Sequence, residues 1–213
     1  MKKFLYKITS VFLVSFTTFS CSDYLDVQPK DKVLEDQVYT TEAGVQNAHN
    51  GLYLTLASDN LYGRELTMDA VDILGQQYNM PGSHYKKSLA SYAYAEAKPK
   101  ETIALIWEKS FAAILASNKF LESIEEHSGV VSVKRANMLK GEAIGIRAML
   151  HFDMLRLFGP IYKVAPSNPS IPYYDVATTV GRPLLPANEV INKVLADIDV
   201  ALGLLTNDPI LTT

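Results

Sequence analysis

Apolar positions from residue 132 to 158 recur at three- and four-residue steps. Ala136, Leu139, Ala143, Ile146, Leu150, Met154 and Leu157 therefore share one face, which predicts a long helix. Ser132 stands where an N-cap is needed. Gly159-Pro160 is the predicted stop, because Gly accepts the left-handed conformation at a helix C-terminus and Pro cannot continue a helix. Met149, Phe152, Leu155 and Phe158 widen the apolar face, so this helix is expected to pack between neighbours. Gly141, Gly145 and Ala148 fall at i, i+4 and i+7, a row almost without side chains that another helix can approach closely.

The same period predicts further helices. Ile103, Trp107, Phe111, Ile114, Asn118, Leu121 and Ile124 mark a second long one over 102–127, with Trp107 in the core. Ser128-Gly129 closes it, and the two long helices form an antiparallel hairpin. Val45, Ala48, Leu52 and Leu56 mark a helix over 41–57, with Tyr39 packing at its start. Val190, Val194, Ile198, Ala201 and Leu205 mark the last one, over 188–205. Leu66, Ala70, Ile73 and Leu74 suggest a short helix over 64–78, broken by Asn79-Met80-Pro81-Gly82-Ser83. Residues 162–186 carry five prolines and read as irregular. The fold class expected is all-α.

The start of the chain changes the picture. Lys2, Lys3 and Lys7 precede an apolar run from Ile8 to Phe19, the pattern of a signal peptide over 1–20, too short and too polar for a membrane-spanning helix. Cys21 is the only cysteine, so no internal disulfide is available to it. Its place directly after Thr18-Phe19-Ser20 resembles the lipobox of a bacterial lipoprotein. The thiol would carry diacylglycerol and the new N-terminus a further acyl chain such as palmitate, and several chains anchor stably where one does not. Residues 21–38 are then a lipidated tether, 39–205 one helical domain and 206–213 a polar tail. Without the three lysines of the signal, 17 basic residues face 23 acidic ones, a net charge of −6. That balance, with no basic cluster, argues against nucleic acid, and no basic amphipathic helix is available to hold anionic lipid.

The long helix also carries a resemblance. Glu142, Ala143, Arg147, Ala148, Phe152, Asp153, Arg156, Leu157, Phe158 and Gly159 match in order a helix motif of the SusD/RagB family, with Ile146 and Met154 as conservative stand-ins. Gly141, Ile144 and Gly145 depart from that motif, and Pro160 sits early. Leu25-Asp26-Val27-Gln28-Pro29 resembles the family's start, Gly181-Arg182-Pro183 a linker between its helix pairs, and Asp197, Ile198 and Ala201 a pattern of its next helix. Ser22-Asp23 is similar to the start of family lipoproteins exported to the cell surface. The resemblance runs from Cys21 to about Leu205 and covers the N-terminal half or less of a family chain, so the sequence reads as a fragment or a truncated gene product. It implies helix pairs stacked like tetratricopeptide repeats. It also implies a surface-exposed outer-membrane lipoprotein that captures oligosaccharide and hands it to a TonB-dependent, SusC-like transporter. Alternatives are a member capturing peptides or another nutrient, and a non-functional remnant.

Chemistry on the chain points to binding rather than catalysis. His49, His84, His127 and His151 are scattered, and no nucleophile elbow or phosphate loop occurs, so no enzyme, metal or cofactor is expected. Glu65, Asp69 and Asp72 fall on one acidic helical face, which is either a polar-ligand or calcium contact or a solvated surface. Asp153 and Arg156 are spaced for a helix ion pair, and Arg147 for a bond to a neighbouring helix or loop. Six of twelve tyrosines lie between Tyr53 and Tyr94. Sugar rings stack on exposed aromatic faces rimmed by polar groups, so Arg64, Tyr78, Asn79, Tyr85 and Tyr92 are the candidate ligand contacts by residue type and position.

Overall fold

The computed structural model describes residues 37–206. The expected signal segment over 1–20, Cys21, nearly all of the expected tether and the tail beyond residue 206 lie outside them. In chain order the described residues form α1 (Glu42–Leu56), α2 (Ala70–Leu74), α3 (Lys87–Ala90), α4 (Ala97–Glu126), α5 (Val133–Phe158), β1 (Pro169–Ile171), β2 (Leu185–Pro186) and α6 (Ala187–Leu204). The fold is all-α apart from one two-residue antiparallel pairing, Pro169 with Pro186 and Ile171 with Leu185.

The predicted caps form. Thr41 accepts the N–H of Gly44 at 3.1 Å ahead of α1, and Ser132 accepts that of Arg135 at 3.3 Å ahead of α5. α1 buries Val45, His49, Leu52 and Leu56. Tyr39 is buried at its start, stacked on His127 with ring centres 5.5 Å apart. α4 begins five residues before the predicted start, at Ala97, because Pro99 falls in the first turn, where the amide it lacks has no intrahelical partner anyway. Gly129 takes φ +97 in the turn between α4 and α5, a conformation that favours glycine.

The core runs along α5, between α4 on one side and α6 on another. Ile106, Ile114 and Phe120 of α4 meet Leu139, Leu150 and Met154 of α5, and Val190 and Val194 of α6 complete the cluster. α6 lies antiparallel to α5 and comes close at Gly141: a Cβ there would sit 2.7 Å from Leu205 Cγ and 3.1 Å from the Ala201 carbonyl oxygen. Ala148 is fully buried as well, but Gly145 of the same row has no neighbour within 4 Å of where its Cβ would be.

Four expectations need correction. Gly159 is extended (φ −84, ψ 172) rather than left-handed. Its need for glycine is steric, since a Cβ would fall 2.5 Å from the Leu155 carbonyl oxygen. α5 is not covered all round: Met149 and Phe152 are 40% and 41% exposed. The helix predicted over 64–78 shrinks to α2, and residues 57–68 run through successive turns, because Glu65 and Asp69 are drawn inward to a lysine rather than laid on a helix surface. The proline-rich 162–186 stretch is irregular except for β1 and β2, which brace its two ends and lead into α6.

Candidate functional site

The 57–96 segment packs against the first turns of α4 and leaves a cleft of about 180 Å³ between them. Asn60, Arg64, Tyr85, Lys98, Glu101 and Thr102 are among its lining residues. Its base is an ion cluster. The Lys86 ammonium donates to Glu65 Oε1 at 2.8 Å and Oε2 at 2.9 Å and to Asp69 Oδ2 at 2.6 Å. Burial alone would lower the Lys86 pKa, but the hydrogen bonds and charges of Asp69 and Glu65 outweigh it and the net shift is upward. The acidic face read from sequence is therefore neither a solvated surface nor an open cation site. Glu65 is 4% exposed and committed to Lys86, and Asp72 lies apart, its Oδ2 3.4 Å from the Tyr78 hydroxyl. Among the described residues no group of three or more His, Cys, Asp or Glu is placed to hold a metal ion.

Two of the five candidate contacts share this cleft. Arg64 is half-exposed and lies 3.5 Å from Asp59, 3.5 Å from Asp69 and 3.2 Å from Glu65. Tyr85 is 63% exposed, with its ring 4.7 Å from that of His84 and the Lys86 ammonium 5.8 Å from its centre. The pair offers a guanidinium and an open aromatic face over a charged floor, the groups that a hydroxyl-rich ring can use. Tyr78, Asn79 and Tyr92 are exposed but do not line the cleft. Tyr78 donates its hydroxyl to the Met68 carbonyl at 2.8 Å, and Tyr92, at φ +56, donates to that of Leu74 at 2.9 Å. Both hydroxyls thus donate to the segment's own backbone, and the ring faces and the hydroxyl oxygens' acceptor capacity remain for a ligand.

Lys86, Lys98 and Thr102 belong to the cleft and were not legible as such. Lys98 sits on the first turn of α4, ahead of the start that the sequence predicts, and Thr102 is the predicted first residue. A second groove, about 290 Å³, was missed altogether. Trp107 and Phe111 of α4, with ring centres 4.6 Å apart, meet Tyr174, Thr178 and Thr179 there. Trp107 packs on the core as expected, 4.9 Å from Phe158, yet part of its surface lines this groove. No periodicity announces Tyr174 or the threonines, which come from the irregular stretch.

The helix-motif polar residues are structural. The Arg147 guanidinium donates from Nε to Asp197 Oδ2 at 2.7 Å and from Nη2 to Asp197 Oδ1 at 2.6 Å. Its Nη1 donates to Asn118 Oδ1 at 2.8 Å and to the Asp175 carbonyl at 3.0 Å. One side chain thereby ties α4, α5, α6 and the irregular stretch together. Asp153 pairs with Arg156 at 2.9 Å, as the spacing predicts, and accepts the Tyr62 hydroxyl at 2.7 Å. His151 is fully buried, stacked on Tyr173 at 3.9 Å. Its Nε2 accepts the Tyr174 N–H at 3.1 Å, which leaves the proton on Nδ1, 2.9 Å from the Arg147 carbonyl. Burial lowers its pKa to about 4.

Comparison with known proteins places this geometry in a lineage. A SusD-like family model described as "Starch-binding associating with outer membrane" matches residues 23–212. SusD-like protein P2 of Formosa agariphila is 27% identical over 94% of this chain and 38% of its own length. SusD-like protein P25 of the same organism is 25% identical over 73% of this chain and 31% of its own length. A crystal structure of a SusD superfamily protein from Bacteroides thetaiotaomicron superposes with a TM-score of 0.62 at 19% identity, covering 77% of this chain and 37% of that one. The chain spans well under half the length of each of these relatives.

Proposed function

We infer the function of this chain from its family: it belongs to the SusD-like family of starch-binding proteins that associate with the outer membrane. The family is described by what it binds, not by a reaction. We propose that this chain captures oligosaccharide at the outer cell surface as a lipoprotein anchored through Cys21. It then passes the glycan to a TonB-dependent, SusC-like transporter, with no bond made or broken. The observation that carries this reading is the family match, which extends over nearly the whole sequence from residue 23.

The cleft at Arg64 and Tyr85 is the proposed glycan contact, with the exposed ring faces of Tyr78 and Tyr92 and the Asn79 amide extending it along the same segment. Stacking of a sugar ring on Tyr85 and hydrogen bonds from Arg64 supply the two interactions such a ligand needs. The test is calorimetric titration of the protein with a panel of α- and β-linked oligosaccharides, followed by Arg64→Ala and Tyr85→Ala. Each substitution is expected to weaken the glycan that binds by about tenfold, or about 1.4 kcal/mol. Unchanged affinity in both variants removes the cleft from the proposal, and no binding across the panel removes the glycan. The anchor is tested separately by metabolic labelling with an alkyne analogue of palmitate. Label and membrane fractionation are expected to disappear together in Cys21→Ser.

A further inference from the structure

The aromatic groove at Trp107 and Phe111 lies apart from the Arg64 cleft. Thr102 of that cleft and Phe111 are nine residues apart on α4. That spacing puts them about 14 Å apart along the axis and on opposite sides of the helix. The groove holds about 290 Å³, close to the lower end of small-ligand pockets at about 300–1,000 Å³. Trp107 and Phe111 form one wall, with Ala112 exposed beside them, and Tyr174, Thr178 and Thr179 form the other. The second wall has no regular secondary structure, yet side chains fix it. Asn118 donates to the Tyr174 and Val176 carbonyls at 3.0 and 3.1 Å, and Arg147 donates to the Asp175 carbonyl at 3.0 Å. The Ala177 N–H donates to Glu122 at 2.7 Å. The Arg182 guanidinium donates to Asp175 at 2.7 Å and lies 5.4 Å from the Tyr174 ring centre. A wall pinned in this way is formed before a ligand arrives, which lowers the cost of binding.

The pins stop at Ala177. Thr178 accepts the Val180 N–H at 3.1 Å. Among the described residues, the N–H groups of Thr178 and Thr179 and the Thr179 hydroxyl have no hydrogen-bond partner. No residue lining the groove carries a charged side chain, so a sugar acid would find no counter-ion. Aromatic rings on one wall and free amide and hydroxyl groups on the other suit a neutral pyranose, whose C–H face stacks while its hydroxyls bond to the rim. We propose that this groove is a second, independent binding site for a neutral sugar ring, an inference that rests on the glycan-binding reading above.

Trp107 is the chain's only tryptophan, so its emission reports on this groove. The full chain is titrated with maltohexaose and, separately, with cellohexaose, and Trp107 fluorescence and calorimetry are followed in parallel. At least one sugar is expected to shift the emission saturably, with a midpoint that stays within about twofold in the Arg64→Ala, Tyr85→Ala double variant. Ala112→Leu fills the groove from an exposed helix position and is expected to raise the midpoint at least about tenfold. Thr179→Val, on the exposed rim, is expected to raise it about threefold and keeps the test open if the leucine variant fails to fold. Calorimetric binding without an emission change overturns the proposal and leaves the Arg64 cleft standing. An emission change that the double variant abolishes, or that neither groove variant weakens, also overturns it. Silence in both readouts with both sugars overturns it together with the glycan reading. A proline-rich peptide that shifts the emission at lower concentration than either sugar overturns it as well, by assigning the groove to an extended peptide.

Discussion

Lowering the pH from 7 to 5 acts on this fold through His151. The neutral ring fits because Nε2 accepts the Tyr174 N–H and Nδ1 donates to the Arg147 carbonyl. A second proton on Nε2 would place two donors nose to nose. The surroundings do not rescue the cation: burial is the largest influence, and the hydrogen bond to the Arg147 carbonyl and the charges of Asp197 and Asp175, which favour the charged ring, do not outweigh it. The folded pKa is about 4, against 6.5 for a free imidazole. Between those values the unfolded chain binds more protons than the folded one, so stability falls as pH falls. The loss is about 2 kcal/mol at pH 5 and levels off near about 3 kcal/mol below pH 4, from about 1.4 kcal/mol per unit of pKa difference. Against a total of about 5–15 kcal/mol for an ordinary domain, that is a large share. The assay is urea unfolding at pH 7 and pH 5 for wild type and His151→Gln, whose amide keeps both hydrogen-bonding roles but does not titrate. Burial lowers the His49 pKa too, so the informative quantity is the difference between the two proteins. Wild type is expected to lose about 2 kcal/mol more than the variant. Equal losses would refute the reasoning.

Three further comparisons test the packing. Arg147→Met leaves Asp197 with the Tyr173 hydroxyl but without its cation, takes the donor from Asn118 Oδ1 in a nearly closed site, and is expected to cost about 3–5 kcal/mol in urea unfolding, far more than Arg156→Met at the exposed end of the Asp153 pair. Lys86→Met removes the buried cation and leaves the Glu65 carboxylate only the half-exposed Arg64 guanidinium, with a loss of about 3 kcal/mol by the same measurement, and Lys86→Met with Glu65→Gln should recover much of it. Gly141→Ala is expected to destabilise by about 1–3 kcal/mol because α6 must move, whereas Gly145→Ala, into open space, should stabilise by about 0.5–1 kcal/mol, both read from thermal midpoints.

The sequence by itself determined the long helices, their order and their faces. Repeats of three and four residues need only local geometry to be read, and the caps at Thr41 and Ser132 act within four residues of themselves. It also gave the family, because the helix motif is a contiguous run, and the partnership of Arg147 with other elements. Tertiary structure decided the rest. Whether Glu65 and Asp69 faced solvent depended on Lys86, 21 and 17 residues away along a stretch without a clean period. Where Gly159 points depended on contact with Leu155, not on handedness. Of five polar and aromatic candidates in one segment, the folded chain brought Arg64 and Tyr85 to a shared cleft and turned the hydroxyls of Tyr78 and Tyr92 inward. Local pattern cannot decide these matters, because each is settled by a partner that only folding brings near.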